Sequence, residues 1–204
     1  MKRAAALLLA IGIFAGCGSI KRFVYEGFSR DEWQQPERVI AALGIRSGDR
    51  VADLGAGSGY FTLRLAPAVG ADGRVYAVDV DEEMNEYLRQ RVAQAGVVNV
   101  DVILGRFEDP LLPDGGVDLV LMVDTYHHLD DRPAYFRNLR RDLTPGGRVA
   151  VIDYDGRKLW FMRLLGHTTP REELLREMAE AGYAVAEEFD FIDRQSFVIF
   201  RPTS

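Results

Sequence analysis

Val51–Ala66, VADLGAGSGYFTLRLA, decides how this chain folds. An apolar strand runs into a tight turn carrying Gly55, Gly57 and Gly59, and an amphipathic helix follows directly. Glycines lack Cβ, so the backbone can approach a bulky ligand, and the N–H groups where the next helix begins favour polar or anionic ligand groups. That is the build of a nucleotide-cofactor pocket. The spacing is G-x-G-x-G rather than the dinucleotide pattern G-x-G-x-x-G, which disfavours a pyrophosphate cofactor.

Upstream of this stretch, residues 20–35 read as a polar and aromatic lead-in. Pro36, at a first helical turn, opens a helix through Ala42 that Gly44 closes. Downstream, strand follows helix repeatedly. Strands are expected at Arg50–Leu54, from Arg74 through VYAVDV, at Val100–Gly105 and at Val117–Val123, with a helix over Asp81–Ala95 stopped by Gly96. The Val117–Val123 run is apolar on both faces apart from Asp118, as a parallel strand covered on both sides requires. A helix from about Asp131 places Phe136, Leu139, Arg140 and Leu143 at helical spacing, after which TPGG (Thr144–Gly147) turns into a fifth strand, RVAVIDY. A last helix runs from about Pro170 to Ala181. The tail, YAVAEEFDF and SFVIF around Asp193 and Arg194, has no helix between its strands, so these two must be antiparallel. The pattern argues for an α/β, doubly wound, mostly parallel sheet with one reversed strand.

At 204 residues the chain fits one such domain, expected over 20–204. The net charge of −6, with 25 cationic residues scattered singly or in pairs, supplies no basic footprint, so nucleic acid is not an expected partner. A monomer is the default. Residues 1–19 read as a leader: Lys2 and Arg3 precede an apolar run, Ala4–Ala15, too short for a comfortable span but typical of a signal-peptide core. Phe14-Ala15-Gly16-Cys17 resembles a bacterial lipobox, with Phe14 in place of the usual small aliphatic residue. It implies membrane attachment through Cys17 at the cell envelope, with a cytoplasmic protein as the alternative. Cys17 is the only cysteine, which rules out an intramolecular disulfide and thiolate clusters.

Beyond the glycine turn DLGAGSG, three further strings carry information: VYAVDVDEEM one strand later, VDLVLMVDTYHHL at the fourth strand and LTPGGRVAVIDY at the fifth. Together they resemble the class I S-adenosylmethionine-dependent methyltransferases, in particular the small stand-alone members, over nearly all of the chain from about Trp33. The resemblance implies a seven-stranded Rossmann-like sheet closed by a C-terminal antiparallel hairpin, and S-adenosylmethionine as cofactor. It places Gly55, Ala56, Gly57, Gly59, Val80 and Asp124 at the cofactor. Asp79, 24 residues after Gly55, stands where a carboxylate accepts from a ribose diol, with a helix cap as the other reading, for which Asp81 is the better candidate. Asp53 can meet the cofactor's ammonium or orient the loop. After the third strand the family commonly has an acid that accepts from the adenine amino group. Here Arg106 stands at that place, leaving Phe107 to flank adenine and Glu108 or Asp109 to supply an acceptor.

Methyl transfer from a sulfonium is an in-line displacement, so the enzyme chiefly aligns donor and acceptor and needs a base only for an acceptor that carries a proton. Tyr126, His127 and His128 follow the fourth strand, where this fold presents residues to the methyl group. Either histidine suits the role of base, with a small preference for His127, while packing and helix capping are the competing readings. Trp160, Phe161, Met162, Leu164 and Leu165 are too apolar for an ordinary loop and suit an acceptor cover, a membrane contact or core packing; His167 stands nearby. The acceptor is expected to be small or lipid-like. Arsenic is disfavoured because such transfer relies on several thiolates and the chain has one cysteine, and an exocyclic nucleobase amine by the lack of an Asn-Pro-Pro-Tyr type motif. A non-catalytic lipoprotein keeping this fold and a nicotinamide-dependent oxidoreductase are the alternatives, and binding of S-adenosylmethionine or NAD separates them.

Overall fold

The computed structural model describes residues 29–155 and 168–203. The leader with Cys17 and the apolar stretch with Trp160, Phe161, Met162, Leu164, Leu165 and His167 lie outside the described residues. A seven-stranded sheet has the order β3-β2-β1-β4-β5-β7-β6. The strands are β1 (Arg50–Leu54), β2 (Arg74–Asp79), β3 (Val100–Leu104), β4 (Val117–Val123), β5 (Leu143–Tyr154), β6 (Tyr183–Phe189) and β7 (Gln195–Pro202). All pair in parallel except β7, which runs antiparallel to both β5 and β6. The expected doubly wound sheet with a closing hairpin is therefore the fold found.

Strand periodicity divides the core. On β4, Val120 and Met122 join Leu54, Val151 and Phe200 beneath α5 (Arg132–Leu139) and α6 (Arg171–Glu180). Leu119 and Leu121 face the other way with Ile152 and Phe197, beneath α2 (Pro36–Ala42) and α3 (Thr62–Ala68). Successive side chains on a strand alternate faces, so an unbroken apolar run is what a doubly covered strand needs. α4 (Glu82–Gln94) packs Leu88 and Val92 against Ala77 on the same side as α3. From β1 the chain winds outward to β3 in one direction and, from β4, outward in the other. The crevice between the carboxyl ends of β1 and β4 is the topological switch point, where open α/β sheets take their ligands.

Two expectations are corrected. Leu143 does not continue the helical face of Phe136 and Leu139; it pairs with Val117 as the first residue of β5. The next pair is Leu119 with Arg148, so Thr144–Gly147 bulge out of the ladder instead of preceding the strand. Within the lead-in, Arg30–Gln34 form a short helix, α1, whose Gln34 is completely buried.

Candidate active site

The site begins with the glycine turn. The N–H groups of Gly55 and Ala56 both donate to the Val78 carbonyl, at 2.8 and 3.0 Å, which ties the turn to the end of β2. Gly55 has φ of 75°, and a Cβ on it would stand 2.1 Å from Thr125 Oγ1. Gly59 has φ of 82°, and a Cβ there would stand 2.2 Å from Leu88 Cδ1. Both positions therefore require glycine twice over, for the left-handed backbone and for the close approach.

Asp79 closes β2 at the turn. Its Oδ2 accepts from Gly57 N–H at 2.8 Å and its Oδ1 from Asp81 N–H at 2.9 Å. Each carboxylate oxygen retains acceptor capacity after one such bond, so the group can still take a pair of hydroxyls. Burial raises its pKa, and the two N–H bonds oppose that. The helix cap is Asp81, which accepts from Glu83 and Met84 N–H at the start of α4. Asp53, by contrast, lies off the wall of the site. It is 3% exposed, accepts from Thr62 Oγ1 at 2.6 Å and is pushed up to about 6 by burial, a position suited to orienting the turn.

A cavity of about 290 Å3 opens above this turn. Gly55, Asp79, Val80, Arg106, Phe107, Asp124 and His128 line it, and so do Thr125, Leu129 and Tyr135, which the sequence did not single out. Arg106 and Phe107 form its lip, with Phe107 64% exposed. Glu108 and Asp109 are not on the wall. Asp109 is instead taken by Arg141 at 2.6 Å and by Leu111 N–H at 2.9 Å.

At the other end of the cavity β4 delivers Asp124 in a left-handed conformation, φ 54°. Its Oδ1 accepts from the Gln195 side-chain amide, and Arg30 Nη2 lies 3.5 Å from its Oδ2. Burial pushes this carboxyl up to about 7, with Arg30 pulling the other way and Asp153 adding to the rise. Gln195 is held in turn by Gln34, whose Nε2 donates to Gln195 Oε1 at 2.8 Å. Arg30, Gln34 and Gln195 were missed at the sequence level. Their one visible signal is a glutamine heading the otherwise apolar strand SFVIF.

Tyr126–His128 form a single 3-10 turn, and three residues per turn send three neighbours in three directions. Tyr126 goes into the core, stacked on Phe136 at 5.4 Å with its hydroxyl donating to Glu177 at 2.9 Å. His127 turns toward Asp153, with Nδ1 2.8 Å from Oδ1. Only His128 reaches the cavity wall. Of the three candidates for a base, Tyr126 and the preferred His127 are thus directed away from the cavity, and His128 is directed into it.

Comparison with known proteins accords with this arrangement. Residues 51–147 match a family described as a methyltransferase domain. This stretch resembles a methyltransferase domain. Around it, the class I fold is complete from β1 to the closing hairpin. A solved S-adenosylmethionine-dependent methyltransferase from Aquifex aeolicus superposes with a TM-score of 0.82 at 28% identity, covering 89% of this chain and 96% of that one. The ubiquinone/menaquinone biosynthesis C-methyltransferase UbiE of Pseudomonas fluorescens is 30% identical over 157 residues, 70% of this chain and 61% of the relative. That of Pseudoalteromonas translucida is 30% identical over 118 residues, 57% of this chain and 47% of the relative. The chain spans about half the length of most of the curated relatives it matches. The matched stretch holds the glycine turn, Asp79, Arg106, Asp124 and His128, while Arg30 and Gln195 meet Asp124 from outside it.

Proposed function

We propose that the chain is an S-adenosylmethionine-dependent methyltransferase acting on a small or lipid-like acceptor. One observation carries the reading: Asp79 and Asp124, two carboxylates held by different strands, face one cavity with His128 on its wall. Asp79 suits the ribose diol, because its backbone bonds leave both oxygens able to accept. Asp124 suits the cofactor's ammonium. Phe107 and Arg106 flank the adenine end from the lip. When bound, S-adenosylmethionine supplies a methyl group on a sulfonium, transferred in line to the acceptor. His128 takes the acceptor's proton, as an imidazole at the wall can do near neutral pH.

The similarity to ubiquinone/menaquinone biosynthesis C-methyltransferases makes a quinone-type acceptor the first to try. Calorimetric titration of the full chain with S-adenosylmethionine is expected to show micromolar binding, and no binding at millimolar ligand would sink the proposal. A reduced quinol with a short isoprenoid tail, incubated with methyl-labelled cofactor, then tests transfer by label in the organic phase.

The leader sequence carries a second reading, in which the protein is an envelope lipoprotein attached through Cys17. Among the described residues no helix is long and apolar enough to cross a membrane. Palmitate labelling of wild type against Cys17→Ser tests it, and label retained in the variant excludes Cys17 as the site.

A further inference from the structure

Asp153, at the end of β5, is completely buried and belongs to no part of the cavity wall. Four donors converge on it. Oδ1 accepts from Tyr154 N–H at 2.9 Å and faces His127 Nδ1 at 2.8 Å; Oδ2 accepts from His127 N–H at 3.0 Å and from the Thr169 hydroxyl at 3.2 Å. The direction of the Thr169 bond is set from behind, because Arg132 Nη1 donates to the same Oγ1 at 3.2 Å and leaves the hydroxyl hydrogen for Asp153. Arg132 is itself held by Glu173 and Glu177, each at 3.3 Å, and Glu177 also takes the Tyr126 hydroxyl. One polar network therefore grips the 3-10 turn at two consecutive residues: Tyr126 donates to Glu177, and His127 donates its N–H to Asp153. With three other donors already aimed at it, Asp153 is the acceptor-only carboxylate, so the ring nitrogen facing it must carry the hydrogen.

The consequence reaches the cavity through ring contact. The His127 and His128 rings have centroids 4.1 Å apart, tilted by 47°, and His128 lines the cavity. We infer that Asp153 is a positioning residue: it locks His127 as the Nδ1–H tautomer in one orientation, and the locked ring is the platform that holds His128 at the wall. The inference deepens the methyltransferase reading and rests on it for the role of His128. It assigns Asp153 no contact with cofactor or acceptor.

The test is the tautomer itself, in full chain carrying 15N-histidine and observed near neutral pH by long-range proton–nitrogen correlation, with His127→Asn and His128→Asn spectra to assign the rings. His127 is expected to show the Nδ1–H pattern in wild type. Asp153→Asn is expected to lose that pattern and to shift the His128 ring signals away from their wild-type positions. A wild-type His127 in the Nε2–H form overturns the inference whether or not the variant folds. So does a folded Asp153→Asn protein with both rings unchanged. Titration of the same wild-type sample with S-adenosylmethionine keeps the two claims apart: absent binding sinks the proposed function, whereas binding beside an Nε2–H His127 sinks only the role of Asp153.

Discussion

The Gly57 amide donates to Asp79 Oδ2 at 2.8 Å, so the glycine turn after β1 and the carboxylate ending β2 are one hydrogen-bonded unit. Asp79 therefore shapes the turn and presents the remaining acceptor capacity to the cavity. Asp79→Ala is expected to weaken S-adenosylmethionine binding by roughly 100-fold or more, since hydrogen bonds to a charged group contribute about 1.5–3 kcal/mol each and a diol makes two. Asp79→Asn, which keeps one acceptor oxygen, should fall between. Calorimetry on the three proteins checks the order, and equal affinities would remove Asp79 from the cofactor site.

Gly55→Ala tests the close approach of the turn to Thr125. The left-handed backbone costs an alanine about 1–2 kcal/mol, and overpacking against Thr125 adds about 1–3 kcal/mol. Chemical denaturation should show both losses. Adding Thr125→Gly should return the packing part and leave the backbone part, because three Thr125 side-chain atoms lie within 2.9 Å of the new Cβ while φ stays at 75°.

Asp124 and Asp53 make stability depend on pH in a defined direction. Burial raises them from the ordinary 3.8 to about 7 and about 6. An acid raised in the folded state binds more protons folded than unfolded, so its contribution is fully present below the unfolded value and is lost as pH rises through the folded one. The free energy of unfolding should consequently fall less steeply in Asp124→Asn than in wild type between the ordinary value and about 7. Denaturant titrations across that window measure it. Cofactor affinity should run the opposite way, rising with pH through about 7 in wild type as the carboxylate forms, and staying flat in the variant.

Gln34 and Gln195 meet across 161 residues of sequence and are both buried. Gln195→Ala leaves the Gln34 amide unsatisfied and takes a donor from Asp124, an expected loss of about 1–3 kcal/mol and a few degrees in Tm. Gln34→Ala should cost a similar amount, and the double variant less than the sum, since both remove one bond. Full additivity would show that the contact is not coupled.

Tyr126→Phe separates packing from chemistry. It removes only the hydroxyl bond to Glu177, so a loss of about 1 kcal/mol in stability is expected, with cofactor affinity unchanged. A tenfold loss of binding would return Tyr126 to the site.

Much of this was legible along the chain because its causes are local. Apolar runs long enough for buried strands, Asp81 two residues past a strand end, and a hairpin too short to hold a helix are all properties of neighbouring residues. Asp109 and Leu143 show where local reading stops. The acid after β3 is placed by how the chain leaves the sheet edge, and there Arg141 claims Asp109. Leu143 fits a helical face by spacing, but its pairing with Val117 decides its state. Tyr126, His127 and His128 look equivalent in sequence, and one 3-10 turn gives them three different surroundings.

By itself, the sequence determined the doubly wound sheet, the reversed β7, the turn that needs glycine at Gly55 and Gly59, and Asp79 as the carboxylate beside it. These follow from backbone sterics and from the alternation of side chains along a strand, which act over a few residues. Only the tertiary structure decided that His128 and not His127 faces the cavity, that Arg30 and Gln195 hold Asp124, and that Asp153 stands behind the histidine pair. Those outcomes depend on polar partners 26 to 161 residues apart, which packing brings together so that buried donors and acceptors are satisfied.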